Sequence, residues 1–439
     1  MSSNAININR LDASTADFES RLAVLLQREM IVAEEVTAVV GEILQQVRRR
    51  GDAAVVEYTN QFDKFDASSM ADLCVSTEQM QQALDGISPQ QRESLTHAAE
   101  RIRSYHEKQK QETWTYSEAD GSVYGQKISP LRRVGVYVPG GKANYPSSML
   151  MLAIPAQVAG VKEIVATVPT AFGEAGQLVF AAAALAGVTQ LYTLGGAQAI
   201  AALAFGTETI GKVDKIAGPG NIYVTVAKKL VFGEVGIDMI AGPSELTIIC
   251  DGRSNPDWIA MDLFSQAEHD EAAQSILICD DAAFIDEVKK SIDRLLPTMQ
   301  RRDIISESMS KRGILIQVED LQQAAEVSNL IAPEHLELAI EDPDSLLDSI
   351  ENAGAIFMGR YSAEALGDYC AGPSHVLPTS GSAKFFSALG VYDFQKRSSI
   401  IHCSEAGAQA LAATASSIAR DEHLEAHALS AEYRLPKVR

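Results

Sequence analysis

The sequence lacks several features that would assign it to common classes of protein. Its five cysteines, Cys74, Cys250, Cys279, Cys370 and Cys403, are scattered and form no C-x-x-C pair, which favours a reduced cytoplasmic protein over a disulfide scaffold. The first residues have no apolar run of the kind that makes a signal peptide. Basic residues number 37 against 58 acidic ones, and the net charge of −21 would repel a phosphate backbone. We therefore expect a cytoplasmic protein that binds no nucleic acid.

Long hydrophobic runs are also missing. The most membrane-like stretch, residues 178–206, is interrupted by Gln190, Gly195, Gly196 and Gln198, which leaves pieces too short to span a bilayer. We interpret this stretch as buried α/β structure and expect no contact with a membrane. Apolar residues make up 46% of the 439 residues, enough for sizeable cores in about two to four domains.

The pattern of apolar residues changes near Val134. Before it, Val36, Val40, Ile43 and Val47 recur at helical spacing, and a second helical stretch at residues 89–111 carries His97 and His106, which we expect at the surface. After it, short apolar runs alternate with Ala-rich segments, and a second series follows with "LTIICD", "SILICDD", "GILIQV" and "GAIFMG". This alternation predicts βαβ units. We expect an α/β fold with two Rossmann-like sheets and helical extensions at both ends.

Three Gly-rich loops follow predicted strands, at residues 139–141, 218–221 and 242–244. Glycine lets a ligand approach the backbone closely, and parallel sheets bind ligands at the carboxyl ends of their strands. The run "GPGNIY" has the first two glycines of G-x-G-x-x-G but carries Tyr223 at the third position. Alone, it is a weak indication of a nucleotide.

The run "NLIAPEHLEL", residues 329–338, places Pro333, Glu334 and His335 side by side. One interpretation is an ordinary helix start, since proline and an acid both suit the first turn. The other is a pair of general bases, because the positive end of a helix keeps Glu334 ionised and disfavours imidazolium at His335. The run by itself leaves both interpretations open.

Other segments supply imidazole, amide and carboxylate groups. "SQAEHD" places Gln266 and His269 three residues apart on a predicted helix. This spacing suits a metal site, but it is also found at an unremarkable helix end. "GDYCAGPSHVLPT" is a loop broken by glycine and proline, and "ARDEHLEAH" is a predicted late helix. Together these groups make a mixture that zinc accepts. They are Gln266, His269, Asp368, His375, Glu422, His423 and His427.

These runs, with "VGVYVPGG", "GGAQAIAALAFGT", "DKIAGPGN", "AGPSE" and "DFQKR", resemble histidinol dehydrogenase in order and spacing, over residues 47–427. The resemblance implies an NAD-dependent enzyme that oxidises L-histidinol to L-histidine through L-histidinaldehyde, using two NAD+, at the end of histidine biosynthesis. It also implies one Zn2+ per subunit, an aldehyde-dehydrogenase-like arrangement of domains, and a homodimer with shared active sites.

The resemblance further implies a role for each matching residue. Glu334 and His335 match the acid–base pair. This chain departs from the family's usual pattern at His423, where a small residue is common, so two histidines compete for one ligand position and His427 matches it better. The implied metal ligands are Gln266, His269, Asp368 and His427; the implied cofactor contacts are Tyr137, Gln198 and Asn221; and the implied substrate contacts are Ser244, Gln266, His269, His335, Asp368, Glu422 and His427.

From these expectations we divide the chain into an N-terminal helical arm (1–30), a larger Rossmann-like domain with the zinc and the Glu-His pair (31–136 and 244–388), a second with the NAD contacts (137–243), and a helical tail exchanged in the dimer (389–439). Three alternatives remain: a paralogue that oxidises another small primary alcohol such as a sulfonated diol, an aldehyde dehydrogenase with Cys370 as nucleophile, and a binding protein without activity. Cys370 lacks the flanking signature of an activated thiol.

Overall fold

The structure, a computed structural model, describes residues 6–27, 34–63, 65–140, 145–169 and 174–436. Helices and strands alternate through most of the chain, with short 3₁₀ turns between some of them. The helices are α1 Phe18–Leu26, α2 Glu34–Arg50, α3 Asp52–Asp63, α4 Thr77–Gly86, α5 Pro89–Glu107, α6 Pro146–Ala159, α7 Glu174–Leu185, α8 Gly196–Phe205, α9 Ile222–Val231, α10 Pro256–Ala267, α11 Ala282–Leu295, α12 Arg302–Arg312, α13 Leu321–Ile331, α14 Asp344–Leu347, α15 Glu364–Tyr369, α16 Glu405–Asp421 and α17 Glu425–Glu432. The strands are β1 Asn9–Asp12, β2 Cys74–Val75, β3 Trp114–Ser117, β4 Val123–Pro130, β5 Arg133–Tyr137, β6 Glu163–Thr167, β7 Gln190–Tyr192, β8 Lys215–Ala217, β9 Gly236–Ile237, β10 Glu245–Cys250, β11 Gln274–Cys279, β12 Ile314–Gln317, β13 His335–Ala339, β14 Ala355–Met358 and β15 Gln395–His402.

Two six-stranded sheets form the framework. The first sheet has the order β1-β12-β11-β10-β13-β14, and the second has the order β2-β7-β6-β5-β8-β9. Five consecutive parallel strands in each sheet, β10 to β14 and β5 to β9, have the spatial order third-second-first-fourth-fifth. That order is the doubly wound arrangement of Rossmann-like sheets, whose winding reverses between the first and fourth strands. The predicted α/β fold with two such sheets is confirmed.

The central strands are buried on both faces. Every residue of β10 and β11 is buried, as expected of parallel strands covered by helices on each side. The stretch at residues 178–206 contains α7, β7 and α8, so its interpretation as α/β structure is confirmed. Within the described part of the chain, no helix combines the length and the apolar character needed to cross a membrane.

The N-terminal third packs differently from the sequence-based division. Helices α2 and α3 pack against α8, and α4 and α5 pack against α7 and α6, so all four cover the second sheet, although they were grouped with the first. The reason is the apolar stripe of α2, where Val40, Ile43 and Val47 join the core around the Ala-rich α8. The expected helical arm also contains a strand, since β1 pairs with β12 at the edge of the first sheet.

The C-terminal segment is not wholly helical, as we had expected. β15 pairs antiparallel with β4, which in turn pairs with β3, to form a third sheet. Its strand "QKRSSIIH" is largely exposed, and a strand without a buried face shows no alternation of apolar residues. After it, α16 and α17 pack on each other.

The expectation that His106 lies at the surface is also wrong. His97 is exposed, but the side chain of His106 is completely buried on α5. Its Nδ1 lies 2.8 Å from the carbonyl oxygen of Ile102. A histidine flanked by charges is therefore buried here by the packing of the helix.

Candidate active site

Glu334 and His335 lie at the beginning of a central strand. α13 ends at Ile331, Ala332 adopts a left-handed conformation with φ of 52°, and β13 begins at His335 between β10 and β14. The interpretation of "APEHLEL" as a helix start is therefore wrong. Pro333 stands in the connection from helix to strand, and the apolar run after it forms a strand buried at every position.

Hydrogen bonds to the backbone of one residue, Glu245, hold the pair in place. The Glu245 N–H donates to Oε2 of Glu334 at 2.8 Å. Nδ1 of His335 lies 2.9 Å from the Glu245 carbonyl oxygen, and because a carbonyl only accepts, Nδ1 carries the proton. Nε2 of His335 is then the basic atom of the neutral ring, and it lies 3.5 Å from Oδ1 of Asp368.

The electrostatics of the pair differ from our expectation. Burial raises the pKa of Glu334 to about 8, against the opposing effect of His335. Burial alone would lower the pKa of His335, but the carboxylates of Glu334, Glu364 and Asp368 raise it well above its usual value. The expected pattern of ionised acid and neutral imidazole assumed a helix N-terminus, and the pair follows a helix C-terminus instead.

Glu364 belongs to this cluster, and the sequence analysis missed it. It lies on α15 one turn before Asp368, and its Oε1 lies 3.6 Å from Nδ1 of His335. Ligand atoms of His335, Glu364 and Asp368 all lie within 4.8 Å of one another. Burial raises the pKa of Glu364 to about 8. The spacing of four residues to Asp368 was the available signal, since such residues share a helix face.

Two predicted metal ligands lie at the end of α10. Gln266 is completely buried, and within the described part of the chain neither atom of its amide has a hydrogen-bond partner. Its neighbour Ser265 donates from Oγ to Glu364 at 3.2 Å, which brings this end of α10 to the cluster. Burial lowers the pKa of His269, against the opposing charge of Asp368. An unpaired amide, a neutral imidazole and carboxylates suit a cation.

The loop that follows α15 closes the site. Burial alone would raise the pKa of Asp368, but the nearby His335, His375 and His269 lower it overall. Nδ1 of His375 donates to the Asp368 carbonyl at 2.9 Å, and its Nε2 accepts from Ser148 Oγ at 3.0 Å. His335, Asp368 and His375 line a cavity of about 250 Å³.

The remaining site residues predicted on this side are more scattered. Ser244 directly precedes Glu245 and is half-buried, so it adjoins the cluster, although its loop precedes β10 where we expected it to follow a strand. Glu422 and His427 are exposed and are outside the cluster. The expected single late helix is wrong: α16 ends at Asp421, and His423 has a φ of 61° in the turn before α17. His423 and His427 therefore do not share a helix face.

The predicted cofactor contacts lie at the carboxyl edge of the second sheet. Tyr137 ends β5, and its hydroxyl accepts a hydrogen bond from the Gly196 N–H at 3.2 Å. Gln198, in the first turn of α8, is buried, and within the described residues its amide atoms have no partner. Asn221 caps α9 by accepting from the backbone of Tyr223 and Val224. Of the loop at 139–141, Gly141 lies outside the described residues.

Cys370 lies beside the site residues in sequence but packs elsewhere. Its side chain is partly buried against the core of the second sheet. Its carbonyl oxygen accepts a hydrogen bond from Nε of Arg101 at 2.8 Å. The position of Cys370 is that of a small apolar residue.

Comparison with known proteins identifies the family of this chain. The family model of histidinol dehydrogenase matches residues 26–435. The histidinol dehydrogenase of Pseudomonas aeruginosa is 63% identical, over 98% of this chain and 97% of its own, and that of Dechloromonas aromatica is 61% identical, over 98% and 99%. The crystal structure of histidinol dehydrogenase from Elizabethkingia anophelis superposes with a TM-score of 0.91 at 34% identity, covering 98% of both chains. The chain therefore belongs to the histidinol dehydrogenase family and is a dehydrogenase.

Proposed function

We propose that this protein oxidises L-histidinol to L-histidine through L-histidinaldehyde, with two NAD+ and one Zn2+ per subunit, at the end of histidine biosynthesis in the cytoplasm. The observation that carries the proposal is the group of buried Glu334 and His335 with the half-buried Asp368, together with the unpaired amide of Gln266 on the helix whose Ser265 bonds to Glu364 of the same cluster. Such a group places two bases next to a set of cation ligands. Membership of the family supplies the substrate.

The metal is proposed to be held by Gln266, His269, Asp368 and the partner's copy of residue 427. Oxygen and nitrogen donors of this mixture suit zinc. When bound, zinc supplies a positive charge that orients the imidazole and amine of histidinol and lowers the pKa of neighbouring acids. In the proposed site, Ser244 and Glu422 complete the contacts to substrate.

His335 is proposed as the base for both oxidations. Its Nδ1–H bond to the Glu245 carbonyl fixes the ring, so Nε2, which faces Asp368 at 3.5 Å, is the atom that takes the hydroxyl proton of histidinol. The nearby carboxylates raise the pKa of His335, and a cation bound by Asp368 would offset that effect and favour the neutral ring that a base requires. NAD+ accepts the hydride that leaves the carbon bound to this hydroxyl group. After water has added to the aldehyde, His335 takes a proton from the resulting diol in the same way.

Glu334 is proposed to activate the water that adds to the aldehyde. It is 5% exposed, and one of its oxygens is occupied by the Glu245 N–H, so the other is available to accept a proton from water. A base is needed at this step because neutral water is a poor nucleophile. The two neighbouring residues thus divide the proton transfers of a two-step oxidation.

A shared active site is part of the proposal. His427 and Glu422 lie far from the cluster in sequence and are exposed on the unit formed by α16 and α17. The same unit and the third sheet expose large apolar side chains, a feature of interfaces. These exposed side chains are Trp114, Tyr116, Ile401, Leu411, Ile418 and Leu424. We infer a homodimer in which each tail completes the partner's site.

Subunit complementation tests the shared site. His335→Asn and His427→Ala subunits are each expected to be inactive as homodimers. Mixed dimers should regain activity, because one of their two sites then carries a native His335 from one chain and a native His427 from the other. If mixed dimers form and stay inactive, both residues belong to the same chain's site.

The reaction itself is tested by counting NADH per histidinol in a single turnover. Wild type is expected to form two NADH per histidinol. Glu334→Gln keeps the shape and the bond to Glu245 but lacks the base, so it should form one NADH rapidly and then stall at the aldehyde, with the second step slower by about 10²–10⁴-fold. Two NADH at an unchanged rate in this variant would refute the role of Glu334.

The paralogue remains the alternative, and substrate specificity distinguishes it. A sulfonated diol or another imidazole-free alcohol that is oxidised faster than histidinol would favour the paralogue. Faster oxidation of histidinol would favour the proposal.

A further inference from the structure

A buried ion pair lies under the loop at the carboxyl end of β8. Nζ of Lys228, on α9, lies 2.5 Å from Oδ1 of Asp238, and their side chains are 3% and 1% exposed. Removing both charges from water is unfavourable unless hydrogen bonds satisfy the remaining polar atoms. The other hydrogen bonds of the two side chains therefore show which part of the backbone the pair stabilises.

Both partners bind the backbone of the same residue of the loop, Gly218. Nζ of Lys228 donates to the carbonyl oxygen of Gly218 at 2.8 Å. The N–H of Gly218 donates to Oδ2 of Asp238 at 2.7 Å. Gly218 has a φ of 122°, and a Cβ there would lie 2.1 Å from the carbonyl oxygen of Tyr137. The ion pair thus fixes, at both its N–H and its carbonyl oxygen, a residue whose conformation and close contact with Tyr137 only glycine allows.

The position of Gly218 gives this arrangement a role. β5 and β8 are neighbours in the second sheet, and they are the first and fourth strands of its Rossmann-like order, where the winding reverses and dinucleotides bind. Tyr137 ends β5, and Gly218 opens the loop that leads to Asn221. Lys228 lies on the helix that Asn221 caps, so the pair joins the beginning of the loop to its end.

We propose that Lys228 and Asp238 are positioning residues for the dinucleotide. They act through Gly218, and they hold the loop 218–221 at the distance from Tyr137 that NAD+ requires. This inference rests on the proposed function, because it takes the loop as the cofactor site. If the pair only stabilised the fold, its loss would lower stability and leave the affinity for NAD+ unchanged.

Lys228→Met removes the charge and keeps the length of the side chain. The matched control is Lys215→Met, at the amino end of β8, where Nζ of Lys215 lies 3.1 Å from Oδ1 of Asp393. In the zinc-loaded full chain, Lys228→Met should weaken NAD+ binding measured by calorimetry roughly 10- to 100-fold. It should leave the KM for histidinol near that of wild type. Lys215→Met should alter thermal stability alone.

Asp238→Asn keeps the test decisive if Lys228→Met does not fold, because the amide oxygen still accepts from Gly218 while the charge is lost. It should weaken NAD+ binding several-fold, by roughly one hydrogen bond's worth of affinity. Wild-type affinity in the folded variants, or equal weakening in Lys215→Met, would overturn the inference. If wild type does not bind NAD+, the proposed function fails. The inference alone fails if wild type binds NAD+, Asn221→Ala weakens that binding, and Lys228→Met and Asp238→Asn leave it unchanged.

Discussion

The two sheets have the same strand order, yet the candidate residues lie at the carboxyl ends of the strands in one sheet and at the amino ends in the other. We call the row of strand ends that carries these residues the edge of its sheet. In the second sheet they lie at the carboxyl ends of β5 and β8, where α8 and α9 begin. In the first sheet they lie at the amino ends of β10 and β13, where α10 and α13 end. Helix N-termini carry partial positive charge and C-termini partial negative charge. The first arrangement suits the phosphates of a dinucleotide, and the second suits a cation.

The side chains at the two edges follow the same division. The edge of the first sheet gathers ionisable groups, Glu334, His335, Glu364 and Asp368, that shift one another's pKa values. The edge of the second sheet presents the neutral side chains of Tyr137, Gln198 and Asn221. One edge is thus equipped to move protons, and the other to recognise a ligand without changing charge. The comparison teaches that a shared topology does not decide which edge becomes the site.

The largest expected effect is on the rate of oxidation, which should depend on the edge of the first sheet and not on that of the second. His335→Asn keeps a donor for the Glu245 carbonyl, because the amide nitrogen takes the place of Nδ1, but removes Nε2. Both oxidations should slow by about 10²–10⁴-fold, while the Kd for NAD+ stays near that of wild type. Rapid-mixing measurement of NADH for each step checks this. Loss of NAD+ affinity along with the rate would show that the two edges are not independent.

The next effect concerns the metal at the first edge. Loss of a residue that only orients a metal ligand typically weakens metal binding about 10- to 100-fold, so loss of the proposed ligand itself in His427→Ala should weaken it by more than roughly 100-fold. His423→Ala is the matched control, since His423 lies four residues earlier in the turn before α17. Competition with a chelator gives the zinc affinity of each variant. The opposite outcome would assign the ligand to His423.

The pH dependence should also differ between the edges. The pKa of Glu334 is raised to about 8 by burial, so its carboxylate form is lost as pH falls through that value, and bound metal moves the midpoint lower. The second oxidation should slow about tenfold per pH unit below the midpoint. Glu334→Gln should lack this dependence.

NAD+ affinity provides the contrast. Burial raises the pKa of Tyr137 to about 12, so its phenol stays protonated and the Kd for NAD+ should be constant between about pH 6 and pH 9. Calorimetry across that range measures it. A Kd that follows the same midpoint as the rate would mean that a group of the first edge contributes to binding NAD+.

The smallest expected effect is at Cys370. If water adds to the aldehyde, Cys370→Ala should keep both steps near the wild-type rate, since the side chain packs against the core of the second sheet. Single-turnover rates of the two steps provide the check. A second step slower by a factor of hundreds would instead support a thiol nucleophile.

Much of the fold was predictable because burial on both faces leaves a continuous apolar run. "LTIICD" and "SILICDD" are such runs, and they became β10 and β11. β15 escaped prediction because its side chains are exposed. β13 escaped because Pro333 and an acid precede it, which are common marks of a helix start. For the site, the order of short motifs indicated Gln266, His269, Glu334, His335 and Asp368. Glu364 belongs to none of these motifs, and its only signal was that it lies four residues before Asp368.

By itself, the sequence determined the local chemistry of this protein: which runs are apolar enough to form buried strands, where glycine must stand, and which side chains can donate, accept or bind a metal. Only the tertiary structure decided how these act together. The pKa of Glu334 follows from its burial beside Glu245, His335 and Asp368, and the opposite edges of the two sheets follow from the packing of strands distant in sequence. Both depend on distances and dielectric environment, and these exist only after the chain has folded.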